Sequence, residues 1–275
     1  MTRHWTLEDI SWNRFDRSKV DPELLKAVKA ASLVEYNAGD YVDYLKKVFH
    51  DRPEIFPVFD QWGREEVQHG LALGRWAEIA DPHFNFEAAF AKFREGYRPA
   101  HFDTGEAQRG GRAGEMIARC VVESGTSSYY SAMKDASTEP VLKEIAAFIA
   151  ADEYAHYRLF YETLAAQDDE KLSLWQRLYV AVTRVNEAED DELAYAYYCA
   201  NTPADQIGRA PYDRKACAQA YSARVSRMYR ERHLYKAFQM IAKAAGLHPK
   251  GWLPRIASKL VWNYFRFQAW RAGTA

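Results

Sequence analysis

WGREEVQHG, residues 62–70, places two adjacent acids on a stretch with helical periodicity and a histidine three residues after the second. The spacing Glu66-x-x-His69 puts a carboxylate and an imidazole on one helix face, where both reach the same ion. The pattern returns in ADEYAHY, residues 151–157, as Glu153-x-x-His156. Each pair follows another acid, Glu65 or Asp152, and each lies in the middle of a long apolar helix. One such pair arises easily by chance; two in matching contexts point to a site.

Two further acids complete a pattern. Glu35 interrupts the apolar stretch ASLVEYNAG, and Glu123 interrupts IARCVVESGTSSYY. A lone carboxylate in such a run is costly to bury unless it is paired or binds a metal. The order Glu, Glu-x-x-His, Glu, Glu-x-x-His on four successive long helices is the ligand order of ferritin-like carboxylate-bridged metal proteins. The expected fold class is therefore all-α, a ferritin-like four-helix bundle with additional helices. Its expected metal ligands are Glu35, Glu66, His69, Glu123, Glu153 and His156. Four carboxylates balance two divalent ions, and six ligands leave open positions, as an oxygen-activating centre requires. Mixed carboxylate and imidazole donors suit iron or manganese, and oxygen chemistry favours iron, so two Fe ions per chain are expected. A ligating histidine usually donates its other N–H to a carboxylate. The quasi-repeat predicts a crosswise arrangement, Asp152 with His69 and Glu65 with His156.

The rest of the chain fits one helical domain, with residues 1–20 as an N-terminal arm, about 21–166 as the metal-binding helices and about 167–275 as further helices. Asp21-Pro22-Glu23 is a helix start that opens a periodic run to about Phe49. Helices are predicted over about 57–80, over FNFEAAFAKFREGY, and over 113–136 and 139–166, with Thr138 as the cap between the last two. Turn-like sequence occupies 97–112. Later helices cover about 171–199, 212–245 and 252–272, and no alternating strand appears. With 275 residues, 48% of them hydrophobic, the chain can bury a sizeable core, which argues against disorder. No apolar run reaches the length of a membrane-spanning helix, and MTRHWTLED lacks a signal-peptide core, so a soluble, cytoplasmic protein is expected. Cys120, Cys199 and Cys217 are widely spaced and read as buried free thiols. Residues 209–275 hold 14 Lys/Arg against 2 Asp/Glu, while residues 1–208 hold 23 against 36. The basic segment either packs beside acidic neighbours or docks an acidic partner. No nucleic-acid-binding motif accompanies it.

These residues resemble the soluble acyl-[acyl-carrier-protein] desaturases. That family carries Trp-x-x-Glu-Glu-x-x-His-Gly, which stands here as Trp62, Glu65, Glu66, His69 and Gly70, and Asp-Glu-x-x-His, matched by Asp152, Glu153 and His156. Its third glutamate ligand is followed three residues later by a threonine implicated in oxygen handling, here Thr126. Its N-terminal tryptophan on the electron path is matched best by Trp5, with Trp12 as a rival. The resemblance covers most of the chain to about residue 165. It departs at Val67-Gln68, at Tyr154-Ala155 and at Tyr36, which stands where an acid often follows the first ligand. It implies an oxygen-dependent desaturase that takes its acyl substrate on acyl carrier protein and electrons from ferredoxin or an equivalent reductase, and works as a homodimer. Thr126, Asp152 and Trp62 are its candidate catalytic residues. The ligand set alone also admits another di-iron oxygenase, a hydroxylase or N-oxygenase. A ferritin- or rubrerythrin-like iron or peroxide-handling protein is the reading from another class. Arg224, Arg227, Arg230 and Arg232 are the candidate cations for docking the acidic carrier.

Overall fold

The protein is described by a computed structural model that covers residues 4–97, 99, 105–166, 171–186, 191–203 and 211–271. Among these residues there is no strand. Single 3-10 turns at Leu7–Asp9, Trp12–Arg14 and Arg17–Lys19 form the N-terminal arm. The helices are α1 (Pro22–Tyr36), α2 (Ala38–Val48), α3 (Phe56–Ala80), α4 (Phe86–Gly96), α5 (Arg112–Ala136) and α6 (Pro140–Ala165). They continue as α7 (Leu174–Asn186), α8 (Asp191–Asn201), α9 (Arg214–Met228), α10 (Glu231–Ala244) and α11 (Trp252–Arg271).

Helices α1, α3, α5 and α6 form a ferritin-like bundle, with α5 against α6 and α1 against α3 as its most extensive contacts. Spacings of three and four residues explain why. On α3 the buried residues include Phe59, Trp62, Glu66, His69, Leu73, Trp76 and Ala80. On α6, Leu142, Ile145, Ile149, Glu153, His156, Phe160 and Leu164 follow the same rhythm, and on α5 so do Ala113, Met116, Cys120, Glu123, Ser127 and Tyr130. Such a seam faces a neighbouring helix along its whole length. The candidate ligands therefore occupy core positions, where the pattern would otherwise place apolar side chains. The remaining helices pack around this bundle, α8 and α9 beside α1 and α10 beside α5.

Gly70 sets the spacing of α1 and α3. A Cβ there would lie 2.6 Å from the Tyr36 amide nitrogen and 2.8 Å from its Cα, so only glycine admits this approach.

Three boundaries differ from expectation. The run from Pro22 does not continue unbroken to Phe49: it breaks at Asn37, a buried residue that caps the end of α1. Its side chain accepts a hydrogen bond from Arg94 Nη1 at 2.8 Å and donates to Glu192 Oε1 at 3.3 Å, exchanging helical continuity for ties to α4 and α8. The stretch 212–245 splits at Tyr229 and Arg230, both in extended conformation. There His233 Nδ1 accepts from the Arg230 amide at 3.0 Å, and Nε2 pairs with Asp135 at 2.9 Å. The segment expected to be helical over 171–199 appears as α7 and α8, with residues 187–190 outside the described set. Of the cysteines, Cys120 and Cys199 are buried free thiols, whereas Cys217 is only half-buried.

The cap of α6 is Glu139 rather than Thr138. Its buried carboxylate accepts the Val141 and Leu142 amides at 3.2 and 2.7 Å, Trp76 Nε1 at 2.7 Å and the Asp16 amide at 3.1 Å. Four N–H donors replace the water that the carboxylate gives up, and they join the arm, α3 and α6 at one point. Glu139→Ala removes the cap and strands the indole N–H of Trp76, which has no exposed surface. The expected loss is about 3 kcal/mol of unfolding free energy in urea titrations; a loss near zero would show the junction to be incidental.

Candidate metal centre

The six expected ligands converge in the middle of the bundle. Glu35 comes from α1, Glu66 and His69 from α3, Glu123 from α5, and Glu153 and His156 from α6. They form two clusters, each with its donor atoms within 4.8 Å of one another. One comprises Glu35, Glu66, His69 and Glu153; the other comprises Glu66, Glu123, Glu153 and His156. Glu66 and Glu153 belong to both, the arrangement expected when two carboxylates bridge two ions and each ion has one further glutamate and one imidazole of its own.

The imidazoles face the shared carboxylates through Nδ1. His69 Nδ1 lies 3.4 Å from Glu66 Oε2 and 3.3 Å from Glu153 Oε1, and His156 Nδ1 lies 3.1 Å from Glu66 Oε1. Their Nε2 atoms point away, His69 to Asp152 Oδ2 at 3.0 Å and His156 to Glu65 Oε2 at 2.7 Å. The pairing is crosswise: the acid beside each α3 or α6 ligand supports the histidine of the other helix, leaving Nδ1 to bind metal.

The N-terminal arm closes over both supporting acids. Trp5 Nε1 donates to Asp152 Oδ2 at 2.7 Å, and its ring stacks on His69 with centroids 6.0 Å apart. His4 Nδ1 lies 3.0 Å from Glu65 Oε1. Gln68 Nε2 holds the Trp5 carbonyl at 2.9 Å. Trp12 lies elsewhere, its Nε1 bonded to Leu7 O and the Arg75 guanidinium over its ring, so of the two arm tryptophans Trp5 is the one at the centre.

Buried polar atoms test whether a metal fits. Both Glu123 oxygens, Glu153 Oε1, His69 Nδ1 and His156 Nδ1 are fully buried without a hydrogen-bond partner. Such orphans are costly, and these five atoms belong to the two clusters, so ions bound among them would satisfy the donors together. Electrostatics agree. Burial, reinforced by the charges of Glu66 and Glu153, pushes the carboxyls of Glu35 and Glu123 well above the usual carboxylate range. Burial also opposes charge on Glu66, but the His156 and His69 imidazoles beside it hold it well below that range. Burial likewise disfavours imidazolium, yet the hydrogen bond to Asp152 and the nearby carboxylates of Glu153 and Glu66 raise His69 well above its ordinary value, and the carboxylates of Glu65 and Glu66 do the same for His156. Protons thus stand where cations would.

The other candidate residues lie close by. Thr126 Oγ1 donates to Glu153 Oε2 at 2.5 Å, with its own backbone acceptors Val122 O and Glu123 O farther away at 3.3 Å. Trp62 packs edge-on against Phe160, and its Nε1 is buried without a partner one turn before Glu66. Sequence reasoning missed Tyr130, whose hydroxyl donates to Glu35 Oε1 at 2.5 Å. Its spacing was a usable signal: Glu123, Thr126 and Tyr130 follow one another at three and four residues along one face of α5.

A cavity of about 490 Å³ opens beside the centre. Glu35, Glu66, Glu123, Glu153 and Thr126 line one side, and apolar residues such as Val34, Val122, Phe238 and Ile241 form much of the rest. Neither imidazole lines it. The centre therefore has two faces, carboxylates toward the cavity and histidines toward the arm.

Comparisons of the chain with protein-family models, with curated proteins and with solved structures find no match. The likeness to the desaturases rests on the motifs, and the fold and donor set support a metal-dependent enzyme of the di-iron type.

Sharing of Glu66 and Glu153 predicts unequal losses. Glu66→Ala or Glu153→Ala is expected to reduce binding of both ions, and Glu35→Ala or Glu123→Ala mainly of one, as measured by metal analysis after anaerobic reconstitution and desalting. Equal losses in all four variants would contradict bridging. Because ions and protons compete for the same atoms, metal loading should release protons into a weakly buffered solution and weaken as the pH falls.

Proposed function

We propose that the protein is an oxygen-dependent di-iron acyl-[acyl-carrier-protein] desaturase, which introduces a double bond into a saturated acyl chain with electrons supplied by ferredoxin or an equivalent reductase. The observation that carries this reading is the meeting of two carboxylate–imidazole clusters with a largely apolar cavity on their carboxylate side. Its volume lies in the range of small-ligand sites, and its walls suit a hydrocarbon better than a polar substrate.

Glu35, Glu66, His69, Glu123, Glu153 and His156 would hold two iron ions. Bound there, the pair supplies the oxidising strength, through dioxygen, that an unactivated methylene C–H demands. The chain's own residues do the rest. The cavity walls hold the acyl chain beside the carboxylates and exclude water. Thr126 presents its hydroxyl to Glu153 at the cavity edge, placed to pass or retain a proton there. Trp62 closes the cavity wall next to Glu66. Asp152 fixes the orientation of His69 and joins it to Trp5, giving electrons a contiguous route on the side away from substrate. Burial works against the Asp152 charge, but hydrogen bonds from His69 and Trp5 keep it below the usual carboxylate value, so it serves as a permanent acceptor for both rings.

Acyl carrier protein and ferredoxin are both acidic partners in this reading. Of the four arginines considered for docking, Arg224 pairs with Glu23 at 2.9 Å and Arg232 with Asp135 at 2.8 Å, so part of the basic excess is already paired within the chain. Carrier docking accordingly falls to Arg227 and Arg230.

Asp152→Asn is expected to retain iron but slow its reduction about tenfold or more, by stopped-flow optical measurement with a chemical reductant; unchanged reduction would remove Asp152 from the route. Mass spectrometry of products after incubation with reduced ferredoxin, oxygen and a panel of acyl carriers tests the reaction itself. An unsaturated acyl product is expected. A hydroxylated product, or turnover only with amine substrates, would assign the centre to another di-iron oxygenase.

A further inference from the structure

The last helix has an outward face that the metal centre does not explain. Trp252, Ile256, Leu260 and Tyr264 recur every fourth residue along α11, and these residues are 67%, 48%, 65% and 51% exposed. Pro254 and Ser258, on the opposite side, are buried, and Val261 and Phe265 pack against the core. The exposed row is therefore a second apolar stripe, distinct from the one that anchors the helix. Arg255, Lys259 and Arg266 border it and are exposed.

Charge singles out the kind of surface that this face fits. Residues 232–275 contain eight Lys/Arg and no Asp or Glu, so α11 has no acid of its own to offset its cations. The first turn of α7 packs against the turn that precedes α11. Leu174 Cδ1 and Arg177 Cδ stand 3.8 and 3.7 Å from the Cβ position of Gly246, in the turn that leads toward α11. Trp175 and Tyr179 on α7 are 80% and 71% exposed, and that helix too carries no acid. An apolar row with an indole and a phenol, bordered by cations, matches the boundary between anionic headgroups and acyl chains. A second copy of the chain would bring the same cations to this face and no acid from α11 to answer them. No helix among the described residues is long and apolar enough to cross a membrane, so contact of this kind would be with the surface.

We propose that α11 is a docking face for the surface of an anionic phospholipid membrane, on which the protein lies without crossing it. This inference stands on surface chemistry alone and does not depend on the reaction at the metal centre.

Flotation of the full metal-loaded chain with vesicles tests it. The protein should float with mixed phosphatidylcholine–phosphatidylserine vesicles and much less with phosphatidylcholine alone, and added salt should weaken the binding. Leu260→Glu is expected to lower the partition coefficient about tenfold while leaving metal content and helical circular dichroism unchanged. Should that variant fold poorly, the paired exchange Lys259→Glu and Arg266→Glu, which alters only exposed cations, should reduce binding to the anionic vesicles by a similar factor. The proposal is overturned by absence of flotation with either composition, or by flotation that both variants leave intact. It is equally overturned by a lipid-free dimer that Leu260→Glu splits, which would assign the face to a second copy, or by an acidic carrier protein that binds through Leu260 when vesicles do not.

Discussion

Four glutamates and two histidines share the apolar seam of a helical bundle, and the rest of the structure answers the cost of putting them there. A buried carboxylate left without partners is unfavourable by several kcal/mol, more than any single helix contact returns. The bundle meets that cost by concentration. Each acid is placed where another acid, an imidazole and space for a cation lie within a few ångströms, so that the groups are satisfied jointly or not at all. This is why ligands and core residues follow one rhythm. Leu73 and Trp76 continue on α3 the stripe that Glu66 and His69 interrupt, and the same is true of Phe160 after His156 on α6.

A second tier of contacts restrains the first. Asp152 and Glu65 orient the two imidazoles, and the arm residues Trp5 and His4 in turn engage those acids. Side chains from the start of the chain and from beyond residue 150 therefore belong to one network. Gly70 contributes by what it lacks: with no Cβ, it lets α1 approach α3 closely enough for Glu35 and Glu66 to share a cluster.

Much of this was legible in the sequence because metal binding narrows the residue types that can serve. Two Glu-x-x-His pairs with a preceding acid, and two solitary glutamates in apolar runs, define the bundle helices and the residues that gather at their centre. Other features carried weaker signals. The break at Asn37 has no proline, and its cause is a pair of side-chain contacts from α4 and α8 that no local pattern reveals. The break at Tyr229–Arg230 depends on His233 reaching back to a backbone amide. Thr138 was the better cap by propensity, but Glu139 took the role because Trp76 and the arm supply further donors. Tyr130 was hidden for the opposite reason: a tyrosine at a seam position reads as ordinary core until its hydroxyl is seen to meet Glu35. The cavity was invisible because it is bounded by helices distant in sequence.

The two halves of the centre repeat one design, yet they are not interchangeable. Glu35 is held by the Tyr130 hydroxyl, whereas both oxygens of Glu123 lack a hydrogen-bond partner. A donor fixes the orientation of the carboxylate it holds; the orientation of Glu123 rests on packing alone until a cation binds it. Hydrogen-bond restraint is thus distributed unevenly across the site. Were two ions held there, Glu35 would meet its ion in an orientation already set by Tyr130, whereas Glu123 would take its orientation from the ion itself.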